Sequence, residues 1–138
     1  MRVAWAPRDA IAWLERRASC RLTTDARALA AVDSGGHIRA MVAFDDITGG
    51  SCELHVSAES SLALRALLPA CYRYVFNELG LAVAIGLVPA NNDGGLEFAH
   101  RLGFREKYRI RDGWSQGVDL LLHELRREDC ARWLERAA

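Results

Sequence analysis

Residues 87–104, LVPANNDGGLEFAHRLGF, decide how the rest of this 138-residue chain is read. The stretch begins at the end of a longer apolar run, LAVAIGLV, whose length and lack of polar positions predict a strand covered on both faces. Pro89 stops that strand. From about Gly94 to Leu102, the apolar residues Leu96, Phe98, Ala99 and Leu102 recur at helical spacing, and Gly103 is placed to cap the helix. Asn92 stands where it can cap the start of the same helix.

Downstream, REKYRIR and VDLLLHEL alternate as strands across DGWSQG, and EDCARWLERA closes the chain as a helix. Arg105, Lys107, Arg109 and Arg111 occupy alternate positions and would project from one face, which reads first as a solvated edge. Upstream, Ser60–Leu79 is helical, with Leu64, Leu67, Leu68, Cys71, Tyr72, Val75 and Leu79 near one stripe. Pro69 predicts either a kink or a second helix starting there, and Gly80 suits the position after the last turn. Before it, ARALAAVD and HIRAMVAFD pair across Ser34-Gly35-Gly36, and a turn at residues 46–50 leads into SCELHVS. Alternation there puts Cys52, Leu54 and Val56 on one face and Glu53, His55 and Ser57 on the other. A first helix is expected from about Pro7 to Arg17. The expected order is helix, three strands, helix, strand, helix, two strands, helix, in one domain spanning residues 1–138.

Composition sets the outer limits. With 51% hydrophobic residues the chain can bury its own core, and 18 basic against 18 acidic residues leave no global field for nucleic acid or an anionic membrane. Arg65, Arg73 and Glu78 interrupt the longest apolar helix, so no membrane span is expected. Cys20, Cys52, Cys71 and Cys130 lie far apart without metal-ligand spacing, and no secretory signal pattern opens the chain. Reduced thiols in a cytoplasmic protein, with no metal site, are the expectation.

This order, together with Asn92 eleven residues before Gly103 and the closing Gly103-Phe104, resembles the GNAT superfamily of acyl-CoA dependent N-acyltransferases. FDDITGG, YRYVFNELG and VDLLLHELRREDCARWL resemble phage and prophage members in particular. The resemblance implies an α/β (α+β) fold with a mixed, mostly antiparallel sheet, helices on both faces and one splayed parallel strand pair. In that family the pair is the fourth and fifth strands, here SCELHVS and LAVAIGLV, and acyl-CoA wedges between them. By the same likeness acetyl-CoA is the acyl donor, and Leu54, Val56, Ser57, Ser60, Ser61 and Asn92 are its contacts. The acceptor would be an amine on a small molecule or peptide, and a homodimer through the final strands is compatible.

Two positions depart from the family. The loop after the fourth strand usually carries an Arg/Gln-x-x-Gly-x-Gly/Ala phosphate cradle, whereas Ser57–Leu64 contains no glycine. The tyrosine that many members place four residues before the Gly of Gly-Phe, as proton donor to the leaving thiolate, is Ala99 here. Tyr72, Tyr74 and Tyr108 are expected in the core or at its edge. Glu53 and His55 share one strand face and are the candidates for deprotonating the amine, against a packed histidine and an ion-paired carboxylate. Asp45 and Asp46 read as turn builders. The departures also leave open a binding or interaction protein that kept the fold but no longer uses acyl-CoA efficiently.

Overall fold

Strands and helices form where the sequence alternates or repeats as above, with one element that carries no such signal. The computed structural model describes residues 1–137. In chain order they are β1 (Arg2–Trp5), a 3-10 turn (Arg8–Ile11), α1 (Ala12–Ala18), β2 (Arg27–Val32), β3 (Ile38–Asp45), β4 (Ser51–Ala58) and α2 (Ser61–Arg73). A π-helical turn (Tyr74–Glu78), β5 (Val83–Pro89), α3 (Asp93–Leu102), β6 (Arg105–Ser115), β7 (Val118–Leu125), a second 3-10 turn (Arg127–Cys130) and α4 (Ala131–Ala137) complete it. The seven strands lie in the order β1-β2-β3-β4-β5-β7-β6, and every pair is antiparallel except β4–β5.

The apolar runs of β2 and β3 are buried on both faces. Ala40, Val42 and Phe44 enter one core with Leu67, Leu68, Cys71 and Tyr72 of α2, while Met41 and Ala43 meet Ile11 and Leu14 beneath the sheet. Helices therefore cover both faces, as the resemblance implied. The turn between β2 and β3 requires Gly36, whose φ is +82°. Asp33 fixes that turn by accepting from the backbone N–H of Gly35 and of His37, each at 2.9 Å. These bonds and the Arg39 guanidinium hold its carboxyl down at about 2.

Several expectations are corrected. Four-residue β1 pairs with β2 ahead of the first helix, which begins as a 3-10 turn at Arg8 and becomes α-helical only at Ala12. The sheet thus has seven strands rather than six, and SCELHVS is the fourth. No second helix starts at Pro69, the one of the two expected outcomes that is overturned: α2 runs through it, because buried side chains before and after the proline dock the helix on the sheet and outweigh the lost backbone bond. β5 is covered on one face only: Ala84 and Gly86 are buried, while Leu87 on the opposite face is 39% exposed. β6 continues through the expected turn to Ser115, leaving Gly117 (φ +81°) in the tight connection to β7.

The four cations of β6 do not share a face. Glu106 pairs with His123 and Tyr108 with Leu122, so Lys107 forms a bulge that reverses the alternation. Arg105 consequently lies opposite Glu124 and Arg109 opposite Leu121, on opposite sides of the sheet. Arg105 ion-pairs with Asp129 at 2.6 Å and Arg109 with Asp119 at 2.8 Å, so neither stands ready for an anion. Tyr108 is 66% exposed on the same edge strand and not in the core.

Candidate active site

β4 and β5 are hydrogen-bonded neighbours only at their first three positions, Ser51–Val83, Cys52–Ala84 and Glu53–Ile85. Beyond Glu53, β4 stays paired with β3 to Ala58, and beyond Ile85, β5 stays paired with β7 to Pro89. The two strands therefore part while each keeps its outer partner. Alternate backbone N–H and C=O groups of residues 54–57 and 86–88 face the gap with no ladder partner among the described residues.

The gap opens into a cavity of about 550 Å³. Its walls come from residues 53–57 of β4, residues 86–89 of β5, the end of α1 with Ser19 and Cys20, α3 with Phe98 and Ala99, and Trp114 and Leu120 from the last hairpin. A second cavity of about 840 Å³ lies at the start of α2, lined by Glu59, Ser60, Ser61, Arg65, Arg101 and Arg132 among others. Phe98 and Leu102 line both, so the two cavities are neighbours separated by these side chains.

Glu53, His55 and Ser57 face the α1 side of the sheet, because Cys52, Leu54 and Val56 are turned into the α2 core. His55 Nε2 lies 3.3 Å from Glu53 Oε1, with the two side chains 19% and 24% exposed. Burial pushes the Glu53 carboxyl up; the nearby His55 opposes that, and the charges of Asp46 and Asp45 add to it. Glu53 is thus a base of raised proton affinity held against an imidazole. Asp45 has a different task. Burial works against its ionisation, yet bonds from Thr23 Oγ1 (2.5 Å), the Thr23 N–H (3.0 Å) and the Asp46 N–H (2.9 Å) outweigh it, so its pKa is lowered. It ties β3 to the loop before β2 as well as shaping the turn at its own end.

Asn92 caps α3: its Oδ1 accepts from the Gly95 N–H at 3.0 Å, while the residue also lines the β4–β5 gap. A Cβ at Gly95 would stand 2.5 Å from Asn92 Nδ2, so a larger residue there would displace the capping side chain. Ser60 Oγ likewise caps α2 by accepting from the Ala63 N–H at 3.1 Å, with Ser61 as the first helical residue. Leu54, Val56, Ser57 and Asn92 therefore meet in the gap with Glu53 and His55, whereas Ser60 and Ser61 belong to the second cavity. Glu59 does not stand as a free negative charge beside them. Arg39 holds it at 2.9 Å and Arg17 at 3.5 Å.

Nothing in the sequence marks Arg17, Cys20, Leu87, Phe98 or Trp114 as lining the gap. Tertiary contacts bring them in: the Arg17 guanidinium stacks on Trp13 and donates to Ser57 Oγ at 3.1 Å, drawing the end of α1 over the gap. Cys20 is no thiolate nucleophile, since burial raises its thiol and the charges of Glu15, Glu53 and Asp45 raise it further. Tyr72 is likewise committed, donating to the Leu102 carbonyl at 2.7 Å, and burial pushes its phenol up. Tyr74 accepts from Arg27 at 2.9 Å. Ala99 lines the gap, leaving no phenol at that point. All four cysteines are free, no helix among the described residues is long and apolar enough to cross a membrane, and no cluster of metal-ligating side chains occurs among them.

No protein-family model matches the chain, and no curated protein sequence does. Solved structures do. A mutant form of the spermidine/spermine N-acetyltransferase SpeG from Vibrio cholerae superposes with a TM-score of 0.74 at 13% identity, covering 99% of each chain. The same enzyme in complex with manganese ions gives 0.73 at 12% identity over 99% of this chain and 96% of that one. Its dodecameric structure in an intermediate state gives 0.71 at 13% identity over 99% and 98%. At such identity the likeness establishes the fold: a GNAT-like mixed α/β sheet with one parallel pair, β4–β5.

Proposed function

We propose that the chain is an N-acetyltransferase that takes an acetyl group from acetyl-CoA and passes it to a primary amine in a ternary complex. The observation that carries this reading is the gap itself, where two parallel strands part beside a half-buried carboxylate–imidazole pair. The residues fit the donor. Unpaired backbone groups flanked by Leu54, Val56 and Ser57 offer ladder-like partners to the pantetheine amides, with Asn92 at the mouth. At the other end, the first turn of α2 with Ser60 and Ser61 presents N–H groups and positive dipole to the pyrophosphate. Arg65, Arg101 and Arg132 supply positive charge around a loop that lacks glycine.

In the transfer the amine nitrogen forms a bond to the thioester carbonyl carbon and the carbon–sulfur bond breaks. Glu53, with His55 against it, accepts a proton from the incoming ammonium directly or through water. Backbone N–H groups of the parted strands stabilise the oxyanion. With Ala99 in place of a phenol, the second proton on nitrogen goes to the departing thiolate, directly or through water in the cleft.

A second reading is favoured by Ala99 and by the glycine-free Ser57–Leu64 segment: a binding domain with this fold that does not turn acetyl-CoA over. Thiol release from acetyl-CoA, with and without a panel of primary amines, separates the two. Amine-dependent release, with a melting midpoint raised by acetyl-CoA, is expected; at a hundredfold excess over Kd the stabilisation is about 2.7 kcal/mol. A midpoint shift without release supports the second reading, and neither at millimolar acetyl-CoA removes the enzyme reading and leaves an interaction protein that does not use acyl-CoA. The four free thiols fit action in the reducing cytoplasm, and the exposed edge of β6 fits a second copy, which sedimentation would detect.

A further inference from the structure

The wall beside Glu53 and His55 is apolar and open. Register pairs Leu87 with Leu122 and Pro89 with Leu120, so these side chains share the face that carries Glu53. Leu87 is 39% exposed and Trp114 is 54% exposed, and both line the gap with Leu120. Side chains of this size left bare beside a polar pair mark a surface that something covers.

The charge on the same walls is sparse. Among the described residues Glu53 is the one carboxylate lining the gap, and the cation facing it is Arg17. Nearby acids are occupied or outside: Asp45 is saturated by Thr23 and Asp46, Glu15 accepts from the Leu22 N–H at 2.9 Å, Asp46 is exposed on its turn, and Glu124, across Ile85 on the Glu53 face, is held by Arg126 at 3.2 Å. One ammonium therefore finds a counter-charge. A second, farther along the acceptor, would meet either Leu87, Leu120 and Trp114 or the Arg17 guanidinium, and an unpaired cation against such groups is disfavoured.

We infer that the acceptor is a monoamine with an apolar body, its nitrogen at Glu53 and its body on the shelf of Leu87, Leu120 and Trp114, and that polyamines are poor acceptors. The inference rests on the proposed acetyl transfer in the same gap. It separates this chain from the fold-sharing enzyme that acts on spermidine.

The test compares butylamine, hexylamine, putrescine and spermidine as acceptors, and repeats their binding without acetyl-CoA by saturation-transfer NMR. Hexylamine is expected to exceed butylamine in kcat/KM by about tenfold, the worth of two buried methylenes. It should exceed putrescine and spermidine by at least as much, and Leu87→Ser should bring the hexylamine-to-butylamine ratio close to one. Preference for either polyamine, or binding and turnover of no amine at all, overturns the inference; the first leaves acetyl transfer standing. If hexylamine binds, loses affinity in Leu87→Ser and is never acetylated, the transfer reading fails and the acceptor assignment falls with it, leaving the shelf as an amine-binding site only. A dimer seen by light scattering that dissociates in Leu87→Ser would show the shelf to be a subunit interface and also overturns it.

Discussion

The two ends of the β4–β5 pair are built from similar sequence and behave differently. At the closed end Cys52 and Ala84 are buried and the ladder is complete; at the open end the same alternation continues, yet the strands have parted and Leu87 is bare. Strand propensity is therefore not what opens the gap. Each strand follows its outer partner, and the loop after β5 is fixed by Pro89 and by the Asn92 cap of α3. Phe104 packs under the parting, where a Cβ on Gly86 would come within 3.2 Å of its ring. A binding gap in this fold is thus a tertiary property written by neighbours.

Substitutions at the two ends should separate accordingly. The largest effect belongs to the packing beneath the parting: Phe104→Ala should destabilise by about 3–5 kcal/mol in denaturant unfolding. A loss below about 1 kcal/mol would mean that the ring does not hold β5 away from β4. Next comes Glu53→Gln, expected to lower kcat/KM by about 10²–10⁴, or roughly 3–5 kcal/mol of transition-state stabilisation, in a folded protein.

The same variant tests the electrostatics with the opposite sign. Burial raises the Glu53 pKa in the folded state, so above that pKa its ionisation works against folding, and this burden fades as pH falls through it. Glu53→Gln should therefore raise the melting midpoint by roughly 1–3 °C at pH 8, with the gain shrinking toward pH 5. A lower midpoint at pH 8 would show that the contact with His55 outweighs burial.

Much of this arrangement was legible in the sequence. The alternation of SCELHVS separated Glu53 and His55 from the core, and the run from Asn92 to Gly103-Phe104 located strand, cap and helix within a residue or two. What escaped has physical causes. RVAW is too short to show a period and becomes β1 only by pairing with β2. The bulge at Lys107 leaves no mark in composition, so four alternate cations looked like one face. Arg17, Leu87 and Trp114 come from three distant elements, and no local spacing predicts that they meet.

Smaller effects complete the comparison. Tyr72→Phe removes the bond to the Leu102 carbonyl and should cost about 1 kcal/mol without altering acetyl-CoA affinity, since the phenol is committed to the core. Leu87→Ser, at the open end, should change stability by less than about 0.5 kcal/mol. A large loss there would show that Leu87 is packed in solution and that the gap is closed.

The central claim is that the unpaired edges of β4 and β5 receive the acyl donor. Backbone amide NMR of the uniformly labelled protein titrated with acetyl-CoA tests it residue by residue. The account predicts saturable shifts at Leu54–Ser57, Gly86–Val88 and the first turn of α2, with little change at Ser51–Glu53 and Val83–Ile85. Shifts confined to other surfaces, or none at millimolar acetyl-CoA, would contradict it.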